Sequence, residues 1–312
     1  MSFVVTDPHL TYSAVETNTY VVSPFLVNQN DVQMNDLDYH VNGMYQPTFE
    51  MKPNETKWVR FLTATTENLL NFHIVNNATG EIVNVWDIAS DGINYEHPVQ
   101  KEQFVHGGGM RQDLLLQFPE EGYYEVWSTG LSDLQFYGTG PDDQKLATFQ
   151  VVGEDNQEPV DISSMEFSLP LANLQNISDS DVTIKRRVEF HVGGNTSVVP
   201  FPQFTINEKA FNLDDIMYNL TMDGHAEEWE LVSNSNATHP FHIHVVPFQV
   251  KNSTTENINP TYDLFTAINP VDTWRDVVLI PPYGTVTIRI LFKPSADVDL
   301  NGKSAHQVSG SY

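Results

Sequence analysis

Apolar residues along this chain fall in short runs, many of them alternating with polar ones, and the three-and-four spacing of an amphipathic helix is hard to find. Runs rich in β-branched and aromatic residues, bounded by Gly, Pro, Asn and Asp, cover 57–63, 69–75, 113–118, 123–128 and 147–152. A polar, acidic gap at 153–164 interrupts them, and a second set follows at 183–192, 227–232, 242–250, 276–280 and 285–292. Short strands at this spacing predict an all-β protein built of two Greek-key sandwiches or small barrels. The pattern divides the chain into a lead-in at 1–30 without a clear core pattern, a first sandwich at 31–152, a linker at 153–180, a second sandwich at 181–302 and an atypical tail at 303–312. Each half has a strand centred on a tryptophan, Trp58 and Trp229, and a late strand led by a glycine, Gly122 and Gly284. These correspondences suggest a repeated domain.

A length of 312 residues suits about two domains. The formal net charge of -26 would repel a phosphate backbone, so neither nucleic acid nor an anionic membrane surface is an expected partner. No apolar stretch reaches the roughly 18 residues of a transmembrane helix. The longest candidate, 277–292, is cut by Pro281, Pro282, Gly284 and Arg289. Cysteine is absent, which excludes disulfides, thiolate metal ligands and thiol nucleophiles from these residues. Met1 to Leu10 carry no basic and apolar signal-peptide pattern. Seven Asn-x-Ser/Thr sites, at Asn54, Asn77, Asn176, Asn195, Asn219, Asn236 and Asn252, nevertheless exceed the roughly four that composition predicts. They lead to the expectation of a secreted glycoprotein whose signal peptide is not in this chain.

One stretch carries the candidate chemistry: Thr238-His239-Pro240-Phe241-His242-Ile243-His244, followed by Phe248-Gln249-Val250. On an extended strand His242 and His244 would present two imidazoles on one face, while Phe241 and Ile243 pack on the other. Pro240 would turn His239 in another direction. Neutral imidazole is a good ligand for copper, zinc, iron and nickel. Other chemistries find little support. Gly107-Gly108-Gly109 is not followed by Lys-Ser/Thr, no Gly-x-Ser-x-Gly elbow occurs, and the pairs Asp142-Asp143 and Asp214-Asp215 fall in loop-like text.

His-Pro-Phe-His-Ile-His followed by Phe-Gln-Val closely resembles the third-domain copper motif of the multicopper oxidases, the family of laccases, ascorbate oxidase and bilirubin-oxidase-like enzymes. Glu228-Trp229-Glu230-Leu231 resembles the strand before that motif, and Trp274-Arg275-Asp276-Val277-Val278-Leu279-Ile280-Pro281-Pro282 the strand after it. In the first half Val41-Asn42-Gly43-Met44-Tyr45-Gln46-Pro47, Trp58-Val59-Arg60-Phe61, Asp91-Gly92-Ile93 and Gly109-Met110-Arg111-Gln112-Asp113 resemble the family's second domain. The resemblance spans roughly residues 30 to 302 and implies two cupredoxin-like Greek-key β-sandwich domains. It implies copper as cofactor, with His239 matching a type 1 ligand, His242 a type 2 ligand and His244 a type 3 ligand. It also implies a small-molecule electron donor oxidised at type 1 and O2 reduced to water at the trinuclear cluster. The family's second domain holds no copper, and His73, His97, His106 and His191 are read as non-ligands.

Departures from the family matter equally. A blue copper site needs a Cys thiolate, and there is none. The family's C-terminal His-Cys-His segment should follow Gly302-Lys303, where the chain reads Ser304-Ala305-His306-Gln307-Val308; His306 is not taken as its remnant. The first cupredoxin domain, an intramolecular partner in the family, has no counterpart here. The expectation is therefore a laccase-like protein represented by its second and third domains, with no catalytic residue set of its own and inactive as an isolated chain. Two alternatives stay open: a degenerate cupredoxin pair acting as an extracellular binding or structural module, and a mononuclear Zn²⁺ or Cu²⁺ site made of His239, His242 and His244 alone.

Overall fold

The structure is a computed structural model, and it describes residues 37–65, 69–131, 143–154, 158–167, 174–193, 203–221, 223–244, 246–255 and 268–292, together with the backbone of 16–26. The chain divides into two compact units, with the change at residue 170. The predicted tail 303–312, His306 and Asn195 lie outside the described residues.

The first unit contains β1 (Glu16–Leu26), β2 (Leu37–Val41), β3 (Met44–Tyr45), β4 (Thr48–Met51), β5 (Thr56–Thr63), β6 (Leu70–Asn76), β7 (Val85–Ser90), β8 (Ile93–Lys101), β9 (Gln103–His106), β10 (Arg111–Gln117), β11 (Gly122–Ser128) and β12 (Gln144–Val151). They form a seven-stranded sheet in the order β3-β2-β1-β5-β10-β7-β8, facing a five-stranded sheet in the order β4-β12-β11-β6-β9. Val59, Phe61, Leu114, Leu116, Phe72, Ile74, Tyr124, Val126, Leu146 and Phe149 fill the space between them. Their alternation along each strand is what assigns one face to the core.

The second unit contains β13 (Val182–Gly193), β14 (Gln203–Ile206), β15 (Lys209–Ala210), β16 (His225–Ser233), β17 (His239–His242), β18 (Phe248–Thr255), β19 (Trp274–Arg275), β20 (Val277–Ile280) and β21 (Gly284–Phe292). Its large sheet runs β15-β14-β13-β16-β21-β18-β19 and faces a two-stranded sheet of β17 and β20. Val188, Trp229, Leu231, Phe248, Val250, Val278, Ile280, Ile288 and Ile290 make the core. Gly284 opens β21 where a Cβ would stand 2.5 Å from the Thr254 carbonyl oxygen, a close approach that only glycine permits. The architecture is all-β, as two cupredoxin-like sandwiches require.

The two large sheets repeat one strand order, each with one parallel contact, β1 with β5 and β13 with β16. The repeat corrects the residue correspondences expected from sequence. Val22 pairs with both Val41 and Thr63, as Phe190 pairs with Ile206 and Ser233. Counting back from Thr63 and Ser233, Trp229 corresponds to Val59 and not to Trp58. A one-residue offset reverses the face: Trp229 lies in the core of the second unit, whereas Trp58 lies on the outer side of the first. Gly122 and Gly284 also differ, since Gly122 begins β11 and Gly284 begins the counterpart of β10.

Two boundaries change for physical reasons. The expected lead-in includes β1, an inner strand of the first large sheet, because β2 and β5 satisfy its two backbone edges. The expected linker is divided between the units. Ile162 and Phe167 are buried against Trp58, Ile88 and Leu115 on the outer face of the first sheet, next to a 3-10 turn at Ile162–Ser164. Ile177 is buried in the second unit, its N–H donating to Gln249 Oε1 at 3.0 Å and its carbonyl accepting from Arg289 at 2.8 Å.

Candidate metal centre

The histidine motif lies where the chain passes from the small sheet to the large one. The single strand expected at 242–250 is instead two, β17 ending at His242 and β18 starting at Phe248. His244 lies in the bend between them, ahead of Pro247, whose missing N–H cannot extend a ladder. The two imidazoles stay together nonetheless, with ring centroids 4.8 Å apart and planes inclined by 55°. Both side chains are exposed, while Phe241 and Ile243 pack against the core.

A hydrogen bond distinguishes the two ring nitrogens of His242. Nδ1 of His242 lies 2.7 Å from the backbone carbonyl oxygen of Asp276, which can only accept. Nδ1 therefore carries the proton, and Nε2 is left with its lone pair available to a ligand. Ile243 donates its N–H to the same carbonyl at 3.3 Å, and Asp276 Oδ1 stands 3.5 Å from the same Nδ1. Backbone rather than side chain orients this ring.

His239 is held the other way. Its Nε2 lies 2.8 Å from Ser235 Oγ, inside a buried turn where Ser233 Oγ donates to the Ala237 carbonyl. Its ring stacks on Phe190 with centroids 5.6 Å apart. Burial lowers its pKa to about 4, so the ring is neutral at physiological pH. It borders a cavity of about 330 Å³ whose walls include Phe190, Phe204, Ile206, Phe211 and Met217. Ser235 was not distinguished in the sequence, although its position four residues before His239 in a turn-like Ser-Asn-Ala-Thr stretch was readable.

Among the described residues no three His, Cys, Asp or Glu side chains converge as a metal site. The structure thus brings His242 and His244 together and does not bring His239 to them, which is a correction to the three-imidazole alternative. Strand alternation is the reason: His239 and Phe241 face the core side while His242 faces out. The donor set, two adjacent exposed imidazoles, fits ligands of one copper cluster. It does not fit a blue copper centre, since these 312 residues supply no thiolate. His73, His97, His106 and His191 are dispersed. His106 is buried with Nδ1 3.2 Å from Thr63 Oγ1, and His191 lies beside Asn234.

Below the site, buried charge fastens the large sheet of the second unit. The carboxylate of Glu227, itself fully buried, accepts from Arg186 Nε at 2.5 Å and Nη2 at 2.8 Å, from Trp229 Nε1 at 2.7 Å and from His225 Nε2 at 2.9 Å. Burial alone would raise its pKa, but these donors outweigh it and hold the pKa at about 2.

Comparison with known proteins agrees with the fold. Residues 181–298 match the multicopper oxidase family. The chain is 26% identical over 265 residues to a bilirubin oxidase of Albifimbria verrucaria, covering 82% of this chain and 43% of that protein. It is 26% identical over 216 residues to a laccase of Bacillus stratosphericus, covering 67% and 38%. It therefore spans less than half the length of these relatives. Among solved structures, the McoA multicopper oxidase of Aquifex aeolicus superposes with a TM-score of 0.68 at 17% identity, covering 91% of this chain and 60% of that one. Fet3p, a multicopper oxidase that functions in iron import, gives 0.66 at 14% identity, with 93% and 63% covered. Residues 181–298 thus carry the match to the multicopper oxidase family, and the solved structures extend the likeness in fold to both units.

Proposed function

We propose that this chain is part of a protein that oxidises a small electron donor and reduces O2 to water with copper, and that the 312 residues by themselves are not an oxidase. The observation that carries this reading is the exposed pair His242 and His244, 4.8 Å apart, with His242 Nε2 left available by the Asp276 carbonyl. In this reading His242 and His244 are ligands of one copper cluster and His239 is a ligand of the type 1 position. Bound copper would supply one-electron chemistry. The chain's own residues fix ring orientation at His242, leave its Nε2 available to a ligand and keep His239 neutral in an apolar surround, while further ligands would be supplied from outside these residues, such as by a further cupredoxin domain. A thiolate would have to come from outside as well.

The absence of cysteine, together with the capping of His239 Nε2 by Ser235, favours one second reading: a cupredoxin pair that kept the fold and serves as a binding or structural module. Secretion and N-glycosylation are part of the proposal. Asn77, Asn176, Asn219, Asn236 and Asn252 are exposed and Asn54 is half-buried, which supports access by a glycan. No helix among the described residues is long and apolar enough to cross a membrane.

A Cu²⁺ titration of the purified chain, followed by calorimetry, electron paramagnetic resonance and oxygen uptake with a phenolic donor, tests the reading. The expected outcome is weak Cu²⁺ binding lost in both His242→Ala and His244→Ala, no intense blue absorption and no oxygen consumption. Binding unchanged in both variants would favour the non-metal module. A blue, oxygen-consuming sample would overturn the proposal that the chain alone is inactive.

A further inference from the structure

The neutral ring of His239 carries one proton on one of its two nitrogens, and the turn between β16 and β17 bears on which. Two serine hydroxyls, those of Ser233 and Ser235, are buried in that turn beside Ala237. They connect the ring to the main chain in a row: Nε2 of His239 lies 2.8 Å from Ser235 Oγ, and Ser235 Oγ lies 3.3 Å from Ser233 Oγ. Ser233 Oγ reaches the carbonyl oxygens of Ala237 and Ser235 at 3.2 and 3.3 Å. Two backbone donors complete the cluster, the N–H of Ser235 directed at Ser233 Oγ across 3.4 Å and that of Ala237 at Ser235 Oγ across 3.3 Å.

A hydroxyl has one proton to give and two lone pairs that accept. Carbonyls can only accept, so the Ser233 proton goes to them. Ser233 Oγ then accepts from the Ser235 N–H, and its remaining lone pair accepts from the Ser235 hydroxyl. Ser235 Oγ accepts from the Ala237 N–H, and its remaining lone pair accepts from Nε2–H of His239. In this order a proton lies in every link from the ring to the carbonyls. The reverse order, with Ser235 donating to Nε2, leaves no proton between the two serines while Ser233 serves the carbonyls. It also moves the ring proton to Nδ1, which has no hydrogen-bond partner among the described residues. Buried polar groups disfavour an arrangement that leaves such bonds unmade.

We propose that Ser233 and Ser235 are positioning residues for His239: as a hydroxyl relay ending on main-chain carbonyls, they hold the ring proton on Nε2 and leave Nδ1 as the basic nitrogen. The stack on Phe190, with centroids 5.6 Å apart, holds the same ring from its face. His242 is the opposite case, with its proton on Nδ1 under the Asp276 carbonyl and Nε2 available. Two histidines three residues apart thus offer different nitrogens, one set by a carbonyl directly and the other by two hydroxyls in series. That Nδ1 of His239 serves a metal rests on the reading of this residue as a type 1 ligand; the place of the proton does not.

The test uses the full chain, labelled with nitrogen-15 at histidine and kept metal-free by a chelator. Two-bond proton–nitrogen correlation spectra should show His239 protonated on Nε2, and that proton should be protected from exchange with solvent. Ser233 makes no hydrogen bond to the ring, yet Ser233→Ala should change its tautomer: the Ser235 hydroxyl loses its acceptor, turns to Nε2 and shifts the ratio toward Nδ1–H by about tenfold. Ser235→Ala should lose the protection of the Nε2 proton, and Ser235→Thr, which keeps the hydroxyl, should retain it. Circular dichroism checks that the variants remain folded, and the spectrum of the parent chain tests the relay without any variant. A His239 protonated on Nδ1 in the parent, or an unchanged ratio in folded Ser233→Ala, would overturn the proposal. A separate Cu²⁺ titration keeps the two readings apart. Copper that leaves His239 unperturbed counts against its role as a ligand while the relay stands, and a ring protonated on Nδ1 in the metal-free chain counts against the relay whatever copper does.

Discussion

His242 and Asp276 are joined through ring nitrogen and main chain: Nδ1 of the histidine donates to the carbonyl oxygen of the aspartate across 2.7 Å. A carbonyl cannot donate, so the bond selects one tautomer of the free protein. Two-bond proton–nitrogen correlation spectra of the apo chain should show His242 protonated on Nδ1 at neutral pH. An Nε2-protonated ring would remove the argument that Nε2 is the nitrogen open to a ligand.

The Glu227 cluster leads to a pH dependence with a definite sign. Hydrogen bonds that the His225 ring donates to Glu227 and Asp223 raise its pKa from the ordinary 6.5. A raised histidine contributes stability that is complete below 6.5 and disappears as pH climbs through the folded value. Glu227, lowered from 4.5 to about 2, contributes stability that is complete above 4.5 and disappears as pH falls toward 2. The charged groups facing His225 are Asp223, on its own turn, and Glu227, which is shared with Arg186 of β13. Both contributions are present between 4.5 and 6.5. Glu227→Gln should destabilise the chain by about 3 kcal/mol in that window, and by less on either side of it. Denaturant unfolding of the variant and the parent chain across pH 3 to 8, compared pairwise, separates this effect from the general repulsion of a highly acidic protein. A difference that does not change with pH would refute the cluster's role.

The hairpins β2–β3 and β14–β15 turn through the same backbone shape with different residues. Asn42 and Gly43 have φ of 53° and 78°, and Asn207 and Glu208 have φ of 49° and 64°. Both central positions of such a turn lie in the left-handed region, which glycine adopts without a Cβ penalty and glutamate does not. Glu208 is exposed, so no packing opposes its replacement. Glu208→Gly should stabilise the second unit by about 1 kcal/mol. Its denaturation midpoint should move upward, and a downward shift would mean that the turn relies on the Glu208 side chain.

The all-β class and the presence of two units were legible because alternation and turn residues act over a few positions. His242 and His244 were legible as a pair because they are two residues apart, and they remain adjacent even though the strand ends between them. The nitrogen that His242 offers and the partner of His239 were not legible. They depend on Asp276, 34 residues away in the chain from His242, and on Ser235 folding back onto His239.

What the sequence determined by itself was local: strand-forming runs, turn chemistry, the imidazole cluster and the lack of any thiolate. The tertiary structure alone decided which face each residue serves and what covers it. Trp58 and Trp229 read alike as strand centres, yet they point to opposite sides of their sheets because parity is counted from pairing partners remote in sequence. Residues 160–167 read as a polar linker, yet Ile162 and Phe167 are buried on Trp58 because the outer face of a central strand has to be covered. Phe204 and Tyr39 hold the same register position in their sheets, yet Phe204 is exposed and Tyr39 is buried. Burial is set by neighbours that pack across the fold, and an alternating pattern specifies a face without specifying what lies against it.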